Sequence, residues 1–173
     1  PGIDKTAYEK VKGQNGYTLV DTVTIGADGT GTSRDLPYNT DGYVILETKA
    51  PTGYELSYEL QVRAITEDGT AVEARYGDQR KKGSLSIHKE DEETKAPLAN
   101  ARFQIYDADT DKAVGGEWIT GPDGNIGPVE LPYGRYYIKE TVSPSGYVKV
   151  SGDWEAAFTL DDSHPAHEAI VPN

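Results

Sequence analysis

Two stretches of this chain are versions of one phrase. Leu36-Pro-Tyr-Asn-Thr-Asp-Gly-Tyr-Val-Ile-Leu-Glu-Thr-Lys-Ala-Pro-Thr-Gly-Tyr54 returns as Leu131-Pro-Tyr-Gly-Arg-Tyr-Tyr-Ile-Lys-Glu-Thr-Val-Ser-Pro-Ser-Gly-Tyr147. In each copy a strand-like run ends in Glu-Thr, with Pro, Gly and Tyr following the Glu at the same offsets. An Asp-Gly turn precedes each copy, at Asp28-Gly29 and Asp123-Gly124. Self-similarity at a fixed spacing marks a repeated structural unit. It also makes Glu47 and Glu140 the same position used twice.

The repeat divides 173 residues into two domains, 1–82 and 83–173, with the polar run Gln79-Arg80-Lys81-Lys82 as the boundary. Short apolar runs are punctuated by 19 Gly and 10 Pro, a composition suited to many short strands. The expected class is all-β: two tandem antiparallel β-sandwiches, with no convincing helical period. Strands are expected in the first domain at Tyr17–Ile25, Tyr43–Glu47, Tyr58–Ile65 and Ala71–Tyr76. The second domain reads as strands around Leu85–Lys89, Phe103–Ile105, Glu117–Thr120, Tyr136–Glu140, Glu155–Leu160 and Glu168–Val171.

A net charge of −12 argues against nucleic acid, which needs a basic face. No run approaches the roughly 20 apolar residues of a membrane span, so no membrane contact is expected. The chain has no cysteine, so a staple for these small β domains cannot be sulfur.

Strand periodicity also tells where charged groups point. Lys89 follows Leu85 and Ile87 on one face, Glu140 follows Tyr136 and Ile138, and Asn173 follows Ala169 and Val171. Each ends an apolar stripe and is carried toward the core, where unpaired polar groups are costly. The residues alone leave two explanations open. One is a buried Lys–Glu ion pair with Asn as hydrogen-bond partner. The other is amide formation between Lys89 and Asn173. Burial disfavours the charged forms, so a dry pocket would hold a neutral amine beside a protonated carboxyl. Glu140 would then polarise the Asn173 carboxamide and carry a proton to departing ammonia, with folding supplying proximity.

The combination of Gly83-Ser-Leu-Ser-Ile-His-Lys89, Leu98-Ala-Asn-Ala-Arg-Phe103, Leu131-Pro-Tyr-Gly, Lys139-Glu-Thr, Pro144-Ser-Gly-Tyr147 and Ile170-Val-Pro-Asn173 resembles the Cna B-type domains. Those are Ig-like, prealbumin-like β-sandwiches of Gram-positive surface adhesins and pilins. The resemblance covers residues 83–173 and most of the first domain. It implies a Lys89–Asn173 isopeptide bond with Glu140 as the catalytic acid. It also implies a structural stalk role, with turnover once only, no cofactor, and an extracellular, cell-wall-anchored location. Its partners would be neighbouring domains of the same surface protein.

The first domain departs from that pattern. Glu47 to Asp78 spans 31 residues against 33 from Glu140 to Asn173, which puts Asp78 at the acceptor position. The matching lysine would precede residue 1, so this domain reads as lacking its first strand and open to a strand from another chain. Lys5, in register with Ile3 and Ala7, is the substitute within the chain. The alternative function is a ligand-binding module gripping a host protein or glycan through exposed Trp118 and Trp154. Asp107, Asp109 and Asp111 mimic the start of a calcium loop but lack its Gly and Glu, so no metal site is expected. His88, His164 and His167 lack ligand spacing and read as surface residues.

Overall fold

The computed structural model describes residues 4–149 and 156–173. The chain forms two compact units, Pro1–Gln79 and Arg80–Asn173, each described by itself.

The first unit opens with a helix, α1 (Lys5–Lys12), where only strands were expected. The cause is local. The Asp4 side chain caps the first turn by accepting from Ala7 N, and Lys10 and Lys12 lie in the last turn, where the helix dipole favours cations. Tyr8 and Val11, three residues apart, are its buried face. Two strands follow, β1 (Asn39–Leu46) and β2 (Leu60–Ile65), paired antiparallel with an irregular register between Asn39 and Tyr43.

The expected strands at Tyr17–Ile25 and Ala71–Tyr76 are not in the sheet. Residues Tyr17, Leu19, Val23 and Ile25 are exposed instead of buried against a facing layer. Segment 71–76 runs beside β2, but side chains hold it: Gln61 and Arg63 donate to the carbonyls of Arg75 and Glu73. Those bonds take the place of a backbone ladder.

The second unit is a two-sheet β-sandwich. Its strands are β3 (Lys82–Glu90), β4 (Arg102–Asp107), β5 (Lys112–Ile119), β6 (Asn125–Pro132), β7 (Gly134–Val142), β8 (Phe158–Leu160) and β9 (Ala166–Pro172). They form a three-stranded sheet, β6-β3-β9, and a four-stranded sheet, β5-β4-β7-β8. Among the described residues every pairing is antiparallel except one: β3 and β9, the first and last strands, run parallel. The all-β sandwich class stands, with that one exception to its antiparallel character.

Burial alternates along β3, and Leu85, Ile87 and Lys89 point inward. They meet Phe103 and Ile105 from β4, Ile138 from β7 and Val171 from β9, all at most 1% exposed. Burying a side chain such as Phe103 contributes about 1.5–3 kcal/mol. Strand β6 was not expected: no strand was read between Glu117–Thr120 and Tyr136–Glu140. Gly127 makes the strand possible: at φ +95° it lets β6 approach β3 so closely that a Cβ would sit 2.6 Å from the Leu85 carbonyl.

Candidate functional site

Lys89 is the last inward residue of β3, and its backbone is tightly held. Its N–H donates to the Gly124 carbonyl at 2.8 Å, and its carbonyl accepts from Leu98 N at 2.9 Å. Gly124 has φ +75°, and a Cβ there would lie 2.5 Å from the Lys89 carbonyl. The Asp-Gly turn of the repeat is thus one wall of the lysine's position.

Glu140 comes from the opposite sheet. On β7 it sits directly across from Phe103 of β4, two residues beyond Ile138. The Lys89 Nζ and Glu140 Oε1 atoms are 3.7 Å apart, and both side chains are wholly shielded from solvent. Lys89 Nζ also donates to the Pro172 carbonyl at 2.9 Å. Burial is the larger influence on the amine and pushes its pKa below the usual lysine value, while the Glu140 charge and hydrogen bond pull upward. An amine with a lowered pKa is the form of lysine that acts as a nucleophile.

Asn173 lies just past β9, which the parallel ladder sets in register with β3, Lys89 opposite Val171 and Glu90 opposite Pro172. Its backbone continues that register, its N–H donating to the Glu90 carbonyl and its carbonyl accepting from Glu92 N, both at 2.9 Å. The side-chain Nδ2 donates to the Val148 carbonyl. Its Oδ1 is buried and, among the described residues, accepts no hydrogen bond. An unsatisfied buried acceptor costs on the order of 1–3 kcal/mol, so a native protein that keeps one needs a reason.

Of the three residues singled out from sequence, Lys89 and Glu140 touch directly. The backbone carbonyl preceding Asn173 joins the third to them. Sequence periodicity missed the Pro172 and Val148 carbonyls, because a backbone acceptor carries no side-chain signal. The loop after β7 was visible only as the repeated Pro-X-Gly-Tyr phrase. Its turn is the same in both units, Tyr54 N to Pro51 O and Tyr147 N to Pro144 O, each 3.1 Å.

The first unit's residues are arranged differently. Glu47, just past β1, accepts from Ser57 N at 2.8 Å, and its backbone carbonyl accepts from the Tyr8 hydroxyl. Among the described residues Asp78 Oδ1 is buried without a hydrogen-bond partner, the same condition as Asn173 Oδ1. Lys5 is exposed on the first turn of α1, so strand periodicity with Ile3 and Ala7 does not apply to it. Ile3 lies outside the described residues. The Lys5 amine stands 4.4 Å from the centre of the Tyr58 ring, and among the described residues it forms no ion pair with Glu47 or Asp78.

Trp118, read as an exposed loop anchor, stands on β5 opposite Phe103, half-buried and packed on the core. Trp154 lies outside the described residues. The three carboxylates of the calcium-like run go separate ways. Asp107 caps its own turn through Thr110, Asp109 pairs with Arg135 at 3.1 Å, and Asp111 accepts from the Tyr137 hydroxyl. His88 faces Asn125 at 2.6 Å, His164 pairs with Asp161 at 3.1 Å, and His167 stacks on Phe158.

Comparison with known proteins agrees with this architecture. The SpaA prealbumin-like fold domain family matches residues 5–80 and again residues 83–170. A collagen adhesin of Staphylococcus aureus is 36% identical over 86 residues, which is 47% of this chain and 7% of the adhesin. The solved Bacillus anthracis TIE protein is 31% identical, with a TM-score of 0.65 over 87% of this chain and 28% of its own. BcpA, the major pilin subunit of Bacillus cereus, is 26% identical over 54% of this chain and 29% of its own, at a TM-score of 0.47. The chain thus spans less than a third of the length of each of these relatives.

Proposed function

The chain belongs to the SpaA prealbumin-like fold domain family, and from that membership we propose that it is a stalk segment of a Gram-positive surface adhesin or pilin. Its second unit is stapled by a Lys89–Asn173 isopeptide bond that the fold itself makes. The observation that carries this reading is the solvent-free contact of the Lys89 amine with Glu140 at 3.7 Å, together with an Asn173 Oδ1 that is buried and, among the described residues, unpartnered.

In the reaction, the neutral Lys89 amine attacks Asn173 Cγ, while Glu140 in its protonated form donates to Oδ1 and polarises the carbonyl. The new Nζ–Cγ bond forms as the Cγ–Nδ2 bond breaks. Glu140 relays the proton lost by Nζ to Nδ2, which leaves as ammonia. Glu140 ends as it began, and the chemistry happens once per molecule without a cofactor.

The mechanical consequence follows from where the bond lies. It ties the first strand to the last, two strands already parallel and side by side. By analogy with disulfides, closing a loop of 85 residues, Lys89 through Asn173, contributes about 4–5 kcal/mol. A domain tied there does not extend when pulled from its termini, which suits a protease-resistant spacer outside the cell. The alternative, a host ligand gripped by loop aromatics, draws no support from Trp118, which packs inward.

The first unit supports a related reading: it receives a lysine-bearing strand from a partner. Tyr17, Leu19, Val23 and Ile25 form an uncovered apolar alternation, and Asp78 Oδ1 awaits a partner in the same state as Asn173 Oδ1.

Intact-mass spectrometry tests both. The purified chain is expected to weigh one ammonia less than its sequence, and Lys89→Ala or Glu140→Ala restores the full mass. A wild-type chain at full calculated mass overturns the staple. A further deficit of one water would place a lysine of the chain itself on Asp78 and remove the need for a partner strand.

A further inference from the structure

The loop after β7 carries groups that the bond-forming trio does not account for. Tyr147 donates its hydroxyl to Asp91 Oδ2 at 2.8 Å, across to the turn that follows β3. Asp91 is itself anchored, its Oδ1 accepting from Thr94 N at 2.7 Å and Thr94 Oγ1 at 2.8 Å. On the other side of the loop, Ser143 Oγ donates to the Tyr147 carbonyl at 3.0 Å. The next residue's carbonyl, that of Val148, receives Asn173 Nδ2. A turn pinned at Tyr147 therefore holds one end of the acceptor side chain.

We propose that this turn positions and selects the acceptor: Tyr147 and Asp91 fix the Val148 carbonyl, which holds Asn173 Nδ2 outward and leaves Oδ1 facing the core. The proposal rests on the isopeptide reading and deepens it. Only the amide nitrogen donates to a carbonyl, so the contact fixes which way the carboxamide faces. The orientation is productive for the reaction. Oδ1, where negative charge develops, is on the buried side. Nδ2, the leaving group, sits at the exposed loop, where ammonia escapes to water. An aspartate at this position has no donor for the Val148 carbonyl, so the device is selective for a carboxamide. Tyr147 and Asp91 are positioning residues, acting on the reaction only through Val148 and Asn173.

The test follows the 173-residue chain during cell-free synthesis, with samples quenched in acid and weighed. Tyr147→Phe keeps the ring and removes the hydroxyl. It is expected to slow ammonia loss by about tenfold or more, since small misplacement of reacting groups has effects of that order. Asp91→Ala removes the acceptor of that hydroxyl and is expected to slow ammonia loss to a similar extent; an unchanged rate overturns the proposal. Asn173→Asp, which loses water instead, is expected to react slowly and to become no slower when Tyr147→Phe is added. That non-additivity is a readout a purely structural hydrogen bond does not move. Equal slowing of the Asn173 and Asn173→Asp chains by Tyr147→Phe overturns the proposal, as does no slowing of either. Circular dichroism of Tyr147→Phe in the Lys89→Ala background verifies that the fold persists. A wild-type chain that never loses ammonia fails at the earlier step, and the isopeptide reading falls with it.

Discussion

Replacing both charged partners at once, Lys89→Met with Glu140→Gln, separates a covalent staple from a plain ion pair by the sign of its effect. Met keeps the unbranched stem of Lys89 in a site of 0% exposure, and Gln keeps the length and hydrogen-bonding end of Glu140. Were the two residues only a buried salt bridge, removing both charges would remove their desolvation penalty along with their attraction. Such replacements are typically neutral or stabilising by about 1–4 kcal/mol. A staple predicts the opposite, because the double variant loses the loop constraint of about 4–5 kcal/mol. The second unit, Arg80–Asn173, is of a size at which each kcal/mol moves Tm by about 4–8 °C. The expected outcome is a fall of at least about 16 °C in its calorimetric transition, with full sequence mass. An unchanged or raised transition would refute the reasoning, whatever the mass spectrum showed.

Two predictions concern pH. Once the acceptor is removed by Asn173→Ala, Lys89 remains a buried amine with its pKa held below the usual 10.5. The unfolded chain then binds more protons than the folded one between the two values, so stability rises with pH through that window. Chemical denaturation should show this rise in Asn173→Ala and not in Asn173→Ala combined with Lys89→Met; equal slopes would contradict it. Asp91 behaves in the reverse sense. Thr94 N–H first, and then the Tyr147 hydroxyl, hold its carboxyl down at about 2, so its contribution is complete above the ordinary carboxylate range and is lost as pH falls through about 2. Acid titration of stability should therefore fall more steeply below pH about 4 in the wild type than in Asp91→Asn. Parallel curves would count against it.

The sequence by itself determined which side chains of β3, β7 and β9 enter the core of the second unit. Alternation along β3, β7 and β9 is a local property of extended chain, so Lys89 and Glu140 were legible as inward groups, with Asn173 next in the same period. The repeated Glu-Thr and Pro-X-Gly-Tyr phrases likewise reported the doubled unit. Local chemistry was misread in two places. Asp4 and the Tyr8–Val11 spacing were present as helix signals, but they were too short to outweigh a β-rich, turn-rich context. Strand β6 lies between Glu117–Thr120 and Tyr136–Glu140, where no strand was expected.

Tertiary structure alone decided the rest, because pairing across distant segments leaves no periodic trace. It set β3 parallel to β9, so that Lys89 reaches the Pro172 carbonyl 83 residues away. It turned Trp118 onto the core and left Tyr17–Ile25 uncovered. It also brought Val148 to Asn173, a contact made by a backbone carbonyl whose chemistry is the same in every residue and whose direction only the folded loop sets.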